Sequence, residues 1–230
     1  MPGRPRLLAV LLALLVLPGC GFLQDLTDGE DPVVQQPVVV TPQPVPPSPR
    51  LLGSFAVDDG RDLPGAPFRG AVEVSALPVA DGLPPLRGFG ADCGLDPAGT
   101  RYVAVDVSFT NRSHSVATLA ATLAVAGERV DEIGVFLESG QAVEYCADGD
   151  VRPAADHFAL AAGAGDELTT TAYLVATAAD DPFAGLTVEL RDLQNTAYSY
   201  PELVTVGGWT ASGGASSCPG EGDRVCLPLG

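Results

Sequence analysis

The chain has 230 residues, twelve basic against 29 acidic, and no lysine at all. Its formal charge of −17 repels phosphate backbones and anionic headgroups, which excludes nucleic acid as a partner. Aromatic residues are only 6%, too few to line a sugar groove.

In chain order, Arg4 and Arg6 open the sequence and Leu7 to Leu17 is an apolar run. That run is far shorter than the roughly 20 residues of a spanning helix. A basic start, a short apolar stretch and a small residue before a cysteine read as a signal peptide over residues 1–19. Leu17-Pro18-Gly19-Cys20 resembles the bacterial lipobox, although Pro18 departs from the small residue usual there. The resemblance implies that diacylglycerol is attached to the Cys20 thiol. The expectation is a lipid-anchored protein on the extracytoplasmic face of the cell membrane, with ordinary secretion as the alternative. After the cut, ten arginines face 29 acidic residues, a formal −19.

Residues 20–49 hold seven prolines, Pro32 to Pro49. Such a chain favours extended polyproline II at about 3.1 Å per residue, so the segment reads as a spacer reaching up to roughly 90 Å. Pro44 to Pro47 also fits a P-x-x-P recognition motif, the minor reading.

Residues 50–230 are one domain's length. Short stretches of period two, broken by Gly, Pro and Asp, predict strands. Tyr102 to Thr110 is the clearest: Val103, Val105, Val107 and Phe109 face one way, Tyr102, Ala104, Asp106 and Ser108 the other. Asp96-Pro97-Ala98-Gly99 turns into it, and Asn111 ends it by left-handed turn geometry and by capping its own backbone. Further strands are predicted at Gly70 to Val79, Ala117 to Val125, Glu132 to Glu138, Glu167 to Ala176, Leu186 to Arg191 and Tyr198 to Val206. Ala159 to Ala164 reads as a short helical turn limited by Gly163 and Gly165. Seven or more such strands argue for an all-β, immunoglobulin-like antiparallel β-sandwich. The tail, residues 207–230, reads as irregular and pinned by a disulfide, with Trp209 packed over a sandwich edge.

Gly70-Ala-Val-Glu-Val-Ser-Ala-Leu and Gly99-Thr-Arg-Tyr-Val-Ala-Val-Asp-Val-Ser-Phe-Thr-Asn111 resemble the opening of the telokin-like, immunoglobulin-like domain of unknown function found in bacterial lipoproteins and secreted proteins. Gly165-Asp166-Glu167-Leu168 and Leu186-Thr-Val-Glu-Leu-Arg191 resemble its later strands. The resemblance covers about residues 70–192. It implies the fold and no particular activity.

With Cys20 lipidated, Cys93, Cys146, Cys218 and Cys226 remain, an even set suited to an oxidising compartment. Three pairings are possible; Cys93–Cys146 with Cys218–Cys226 is favoured, the second closing a small loop. No C-x-x-C accompanies the two histidines, so a zinc site is not expected. Asp58, Asp59 and Asp62, with Asp148 and Asp150, are weak calcium candidates on Gly-containing loops; solvated turns are the main reading of the same residues. No G-x-S-x-G occurs, and His114 and His157 have no assigned partners. The expected function is therefore non-catalytic: a protein-interaction or ligand-binding module with no cofactor, anchored by lipid and meeting an extracytoplasmic protein. A structural envelope-accessory role and an enzyme of unseen motif are the alternatives.

Overall fold

The computed structural model describes residues 47–58, 68–86, 95–138, 155–177, 180–197, 200–205, 208–212, 214–219 and 221–230. The predicted signal peptide, Cys20 and nearly all of the spacer lie outside them.

Among the described residues, thirteen strands, all paired antiparallel, form two sheets packed as a sandwich. In chain order they are β1 (Arg50–Asp58), β2 (Arg69–Ala76), β3 (Ala80–Asp81), β4 (Arg101–Asn111), β5 (Ala117–Ala126), β6 (Ile133–Leu137), β7 (Ala155–Ala162), β8 (Glu167–Ala176), β9 (Thr187–Ala197), β10 (Tyr200–Thr205), β11 (Gly208–Ser212), β12 (Ser216–Cys218) and β13 (Glu221–Pro228). The first sheet runs β11-β1-β2-β4-β8-β6, with β3 beside β4; the second runs β12-β13-β9-β5-β7, with β10 beside β9. The architecture is compatible with an immunoglobulin-like fold. From β4 to β9 every successive described strand lies in the other sheet.

The period-two reading of β4 is visible directly. Val103, Val105, Val107 and Phe109 are buried between the sheets. They meet β5's Leu119, Leu123 and Val125, β8's Leu174 and β9's Val188 and Leu190 in one cluster. Burying each such side chain stabilises the fold by about 1.5–3 kcal/mol. Trp209 packs on this core from the edge strand β11, edge-on to Phe55 at 5.8 Å.

The alternate positions of the first sheet are not all wet. Ala104, Phe136, Tyr173 and Val175 form a second buried cluster on its outer face, covered by Leu77, Leu83, Leu86 and Leu95 from the segment between β2 and β4. The cover is tied down by Leu77 N–H to the Ala104 carbonyl and by Gly82 N–H to the Thr100 carbonyl, both 2.8 Å. Burial raises the Tyr173 phenol above its ordinary value, with Glu138, Tyr102 and Asp106 adding to the effect. An acid whose folded value is raised keeps its proton longer than the unfolded chain does. Stability is thus complete below about pH 10 and declines as pH rises past it. Alkaline titration followed by tyrosinate absorbance should show a late step that Tyr173→Phe removes; a late step that survives the substitution refutes this assignment.

Two expectations are corrected. Ala159 to Ala164 is no helical turn: residues up to Ala162 belong to β7, and Phe158, Leu160 and Ala162 alternate into the core. The tail is not irregular but holds β11, β12 and β13, with Val225 and Leu227 fully buried. Strand β1, which period-two reading did not single out, carries Leu52, Phe55 and Val57 into the core.

Candidate functional site

Three places on the described surface carry chemistry. The first is a cleft of about 240 Å³ at one end of the sandwich. It forms where the last residues of β2 and the first of β1 and β4 meet the turn before β9 and the end of the chain. Ala76, Leu77, Val79, Val103, Phe183 and Leu229 supply apolar walls; Arg50 and Asp181 stand at its rim. The walls are held by backbone bonds. Leu229 N–H donates to the Leu186 carbonyl at 2.9 Å, and Asp181 Oδ1 accepts from Phe183 N–H at 3.2 Å, fixing the turn that presents Phe183. Val79 is 39% exposed although apolar. Arg50 is exposed and has no ion-pair partner among the described residues. Pro47-Ser48-Pro49 runs directly into Arg50, so the proline-rich segment joins the domain at this end.

The second place is the outer face of the second sheet. Thr122 Oγ1 lies 2.7 Å from His157 Nδ1 and 3.4 Å from Asp192 Oδ2. A hydroxyl, an imidazole and a carboxylate therefore meet here. Asp192 reaches Thr122 because the β5–β9 register slips by one between Ala120 and Thr122, and Asp192 takes φ of 52° at the slip. The order of contacts is wrong for a nucleophile relay. In that device the carboxylate orients the ring and the ring faces the hydroxyl; here the carboxylate contacts the hydroxyl itself. Thr122 is also only 6% exposed. These bonds pin a bulge. His114, the other histidine, sits in the bend after β4.

The third place is the β12–β13 hairpin. Cys218 and Cys226 form a disulfide with Cα atoms 5.1 Å apart, the pairing favoured from sequence. Beside it lies Glu189 of β9, 7% exposed. Arg191 Nε and Nη2 both contact Glu189 Oε2, at 2.7 and 2.6 Å, and Arg224 Nη1 is 4.0 Å from the same oxygen. Sequence reading passed over Glu189 because one acidic residue in an alternating strand looks solvent-facing. Its burial comes from the hairpin that packs β13 alongside β9.

Of the predicted site residues, Cys20, Asp59, Asp62, Cys93, Cys146, Asp148 and Asp150 lie outside the described residues. Asp58 closes β1 with its carboxylate 3.7 Å from Arg69 Nε, so that calcium candidate faces a cation.

No family model matches the sequence, and no curated protein is found similar to it. Among solved structures, a protein described as ApaA from Bordetella pertussis matches at 12% identity with a TM-score of 0.28, covering 64% of this chain and 94% of that one.

Proposed function

We propose that the protein is a lipid-anchored extracytoplasmic interaction module, and that it seats an apolar side chain of a partner protein in the cleft beside Arg50. The observation that carries the reading is the cleft itself. Its walls are apolar, its volume of about 240 Å³ falls below the roughly 300–1,000 Å³ of small-molecule sites, and its rim holds one cation and one carboxylate. A volume of that size takes one large side chain. An apolar centre inside a polar rim is the usual anatomy of a protein interface. Arg50 supports an acidic or carboxylate neighbour on the partner, since most other arginines of the described domain already face carboxylates.

The sequence features add to this reading. A lipidated Cys20 and a proline-rich spacer ending at Pro49 would tether the domain to the membrane. The partner would then be another envelope protein. The similarity to the telokin-like, immunoglobulin-like domain of unknown function fits the sandwich and adds no activity. The contact order at Thr122, His157 and Asp192 supports a non-catalytic reading.

Site-specific photocrosslinking in the cells that make the protein tests the proposal. A photoreactive residue at Val79 should give one discrete protein adduct, whereas one at Glu73, away from the cleft, gives none. Ala184→Trp, which fills the cleft, should abolish the Val79 adduct without lowering the amount of folded protein. Equal adducts from both positions, or a Val79 adduct indifferent to Ala184→Trp, would remove the cleft from consideration.

A further inference from the structure

We propose that the buried group formed by Cys218, Cys226 and Glu189 is a redox-gated site for a zinc-class dication, closed while the disulfide is intact and opened by its reduction. Three facts about the geometry lead there. One ligand atom from each of the three residues lies within 4.8 Å of the other two, and all three residues are buried. Glu189 is oriented asymmetrically. Arg191 grips Oε2 with two N–H groups, leaving Oε1 turned toward sulfur, 3.9 Å from Cys226 Sγ. A partner that holds one oxygen and aims the other is the arrangement that positions carboxylate ligands at metal centres.

The distances suit the ion. Tetrahedral zinc with Zn–S of about 2.3 Å and Zn–O of about 2.0–2.2 Å sets its sulfur and oxygen ligands about 3.5 Å apart. The present 3.9 Å needs only a small closure, while the two sulfurs must separate once their bond is broken. The hairpin permits that, because β12 is an edge strand held to β13 through three residue pairs with a register shift beside Cys218. Charge is also compatible. Two thiolates and one carboxylate give −3 and the dication +2, and Arg191 and Arg224 already stand beside the carboxylate.

The chemistry balances with a dithiol as reductant. Its two electrons and two protons convert the S–S bond into the Cys218 and Cys226 thiols, and the dithiol closes to its own disulfide. Metal binding then releases the two thiol protons, because the thiolate is the ligand. Three protein ligands leave a fourth position for water, the pattern of an open zinc site.

The test uses the full chain, reduced anaerobically with a non-chelating phosphine that leaves as its oxide, and cadmium as the probe ion. Cadmium–thiolate absorbance should report one equivalent bound through two sulfurs. That equivalent should be missing from the unreduced protein and from Cys218→Ser/Cys226→Ser, which keeps every other cysteine. Glu189→Gln and Glu189→Asp should each weaken cadmium at least tenfold while the unreduced variants retain β-sheet circular dichroism. No additional equivalent over the double serine variant overturns the site, as does an affinity unmoved by both Glu189 substitutions. A reduced chain that loses its β-sheet signal before metal is added overturns it too.

Discussion

Asn111→Ala should lower stability by about 3–5 kcal/mol. Asn111 is fully buried. Its Nδ2 donates to the carbonyls of Ser115 and Ala162, both at 2.8 Å, and of Gly163 at 3.0 Å; Oδ1 accepts from Ser113 N–H at 2.8 Å. Its own backbone bonds the β7–β8 turn, N–H to the Asp166 carbonyl and carbonyl from Gly165 N–H, each 2.9 Å. One side chain thus joins two of the connections that pass between the sheets, β4 to β5 and β7 to β8. Alanine would take the Nδ2 donor from the buried Ala162 carbonyl and the half-buried Ser115 carbonyl, and the Oδ1 acceptor from the buried Ser113 N–H, each loss costing about 1–3 kcal/mol, while the Gly163 carbonyl keeps the Asp166 N–H. For a domain of this length the midpoint of thermal unfolding should fall by roughly 10 °C or more. Asn111→Asp separates the hydrogen-bond account from shape. It keeps the outline but aims a carboxylate at carbonyl oxygens, so the substituted carboxyl would hold its proton above its ordinary value. The sign follows: the deficit should be least in acid and grow as pH rises past about 4. Thermal melts across pH decide the matter. A deficit for Asn111→Ala under 1 kcal/mol, or an aspartate variant whose deficit does not change with pH, contradicts the account.

The same residue shows what sequence alone could and could not tell. Asn after an alternating strand pointed to a local backbone cap, and the Oδ1 bond to Ser113 N–H is such a cap. The left-handed geometry expected of it is absent; among the described non-glycine residues only Asp192 has a positive φ. The contacts that make Asn111 matter reach residues 51 and 52 positions away, and no local pattern encodes them. Strands with one buried face and β-branched residues were legible: β4 spans Arg101–Asn111 where Tyr102 to Thr110 was predicted, and β8 spans Glu167–Ala176 as predicted. Strand β7 was not, because alanine favours helix and its alternation of Ala with Phe158 and Leu160 is faint in hydropathy. Strand β1 was missed because a register shift between Leu51 and Gly53 breaks the period on which such reading depends. The Cys218–Cys226 pairing was legible from spacing, whereas the carboxylate beside it arrives from β9, 37 residues upstream of Cys226. The cleft had no local signature, since Arg50, Val79, Phe183 and Leu229 come together only through the end-on closure of the sandwich.

Gly53→Ala should cost about 2–3 kcal/mol, an overpacking penalty imposed by main chain rather than by side chains that can turn aside. A Cβ at position 53 would stand 2.5 Å from the Ala215 nitrogen and 2.7 Å from Leu227 Cδ2. Leu227 is fully buried and Ala215 nearly so, which leaves neither free space to enter. On the other side of the contact, Gly214 takes φ of 103°, and a Cβ there would collide with the Leu52 carbonyl oxygen. Two glycines therefore allow the turn before β12 to lie against the backbone of β1. That approach binds the first strand of the domain to its tail, where the disulfide and Glu189 are found. Gly99→Ala is the matched control, for a Cβ there meets nothing within 4 Å and the backbone needs no positive φ. Denaturant melts of the two variants should differ by at least 2 kcal/mol, with Gly99→Ala near the parent. Equal stabilities would mean that the turn shifts without penalty, and that β1 and the tail are not held together by this contact.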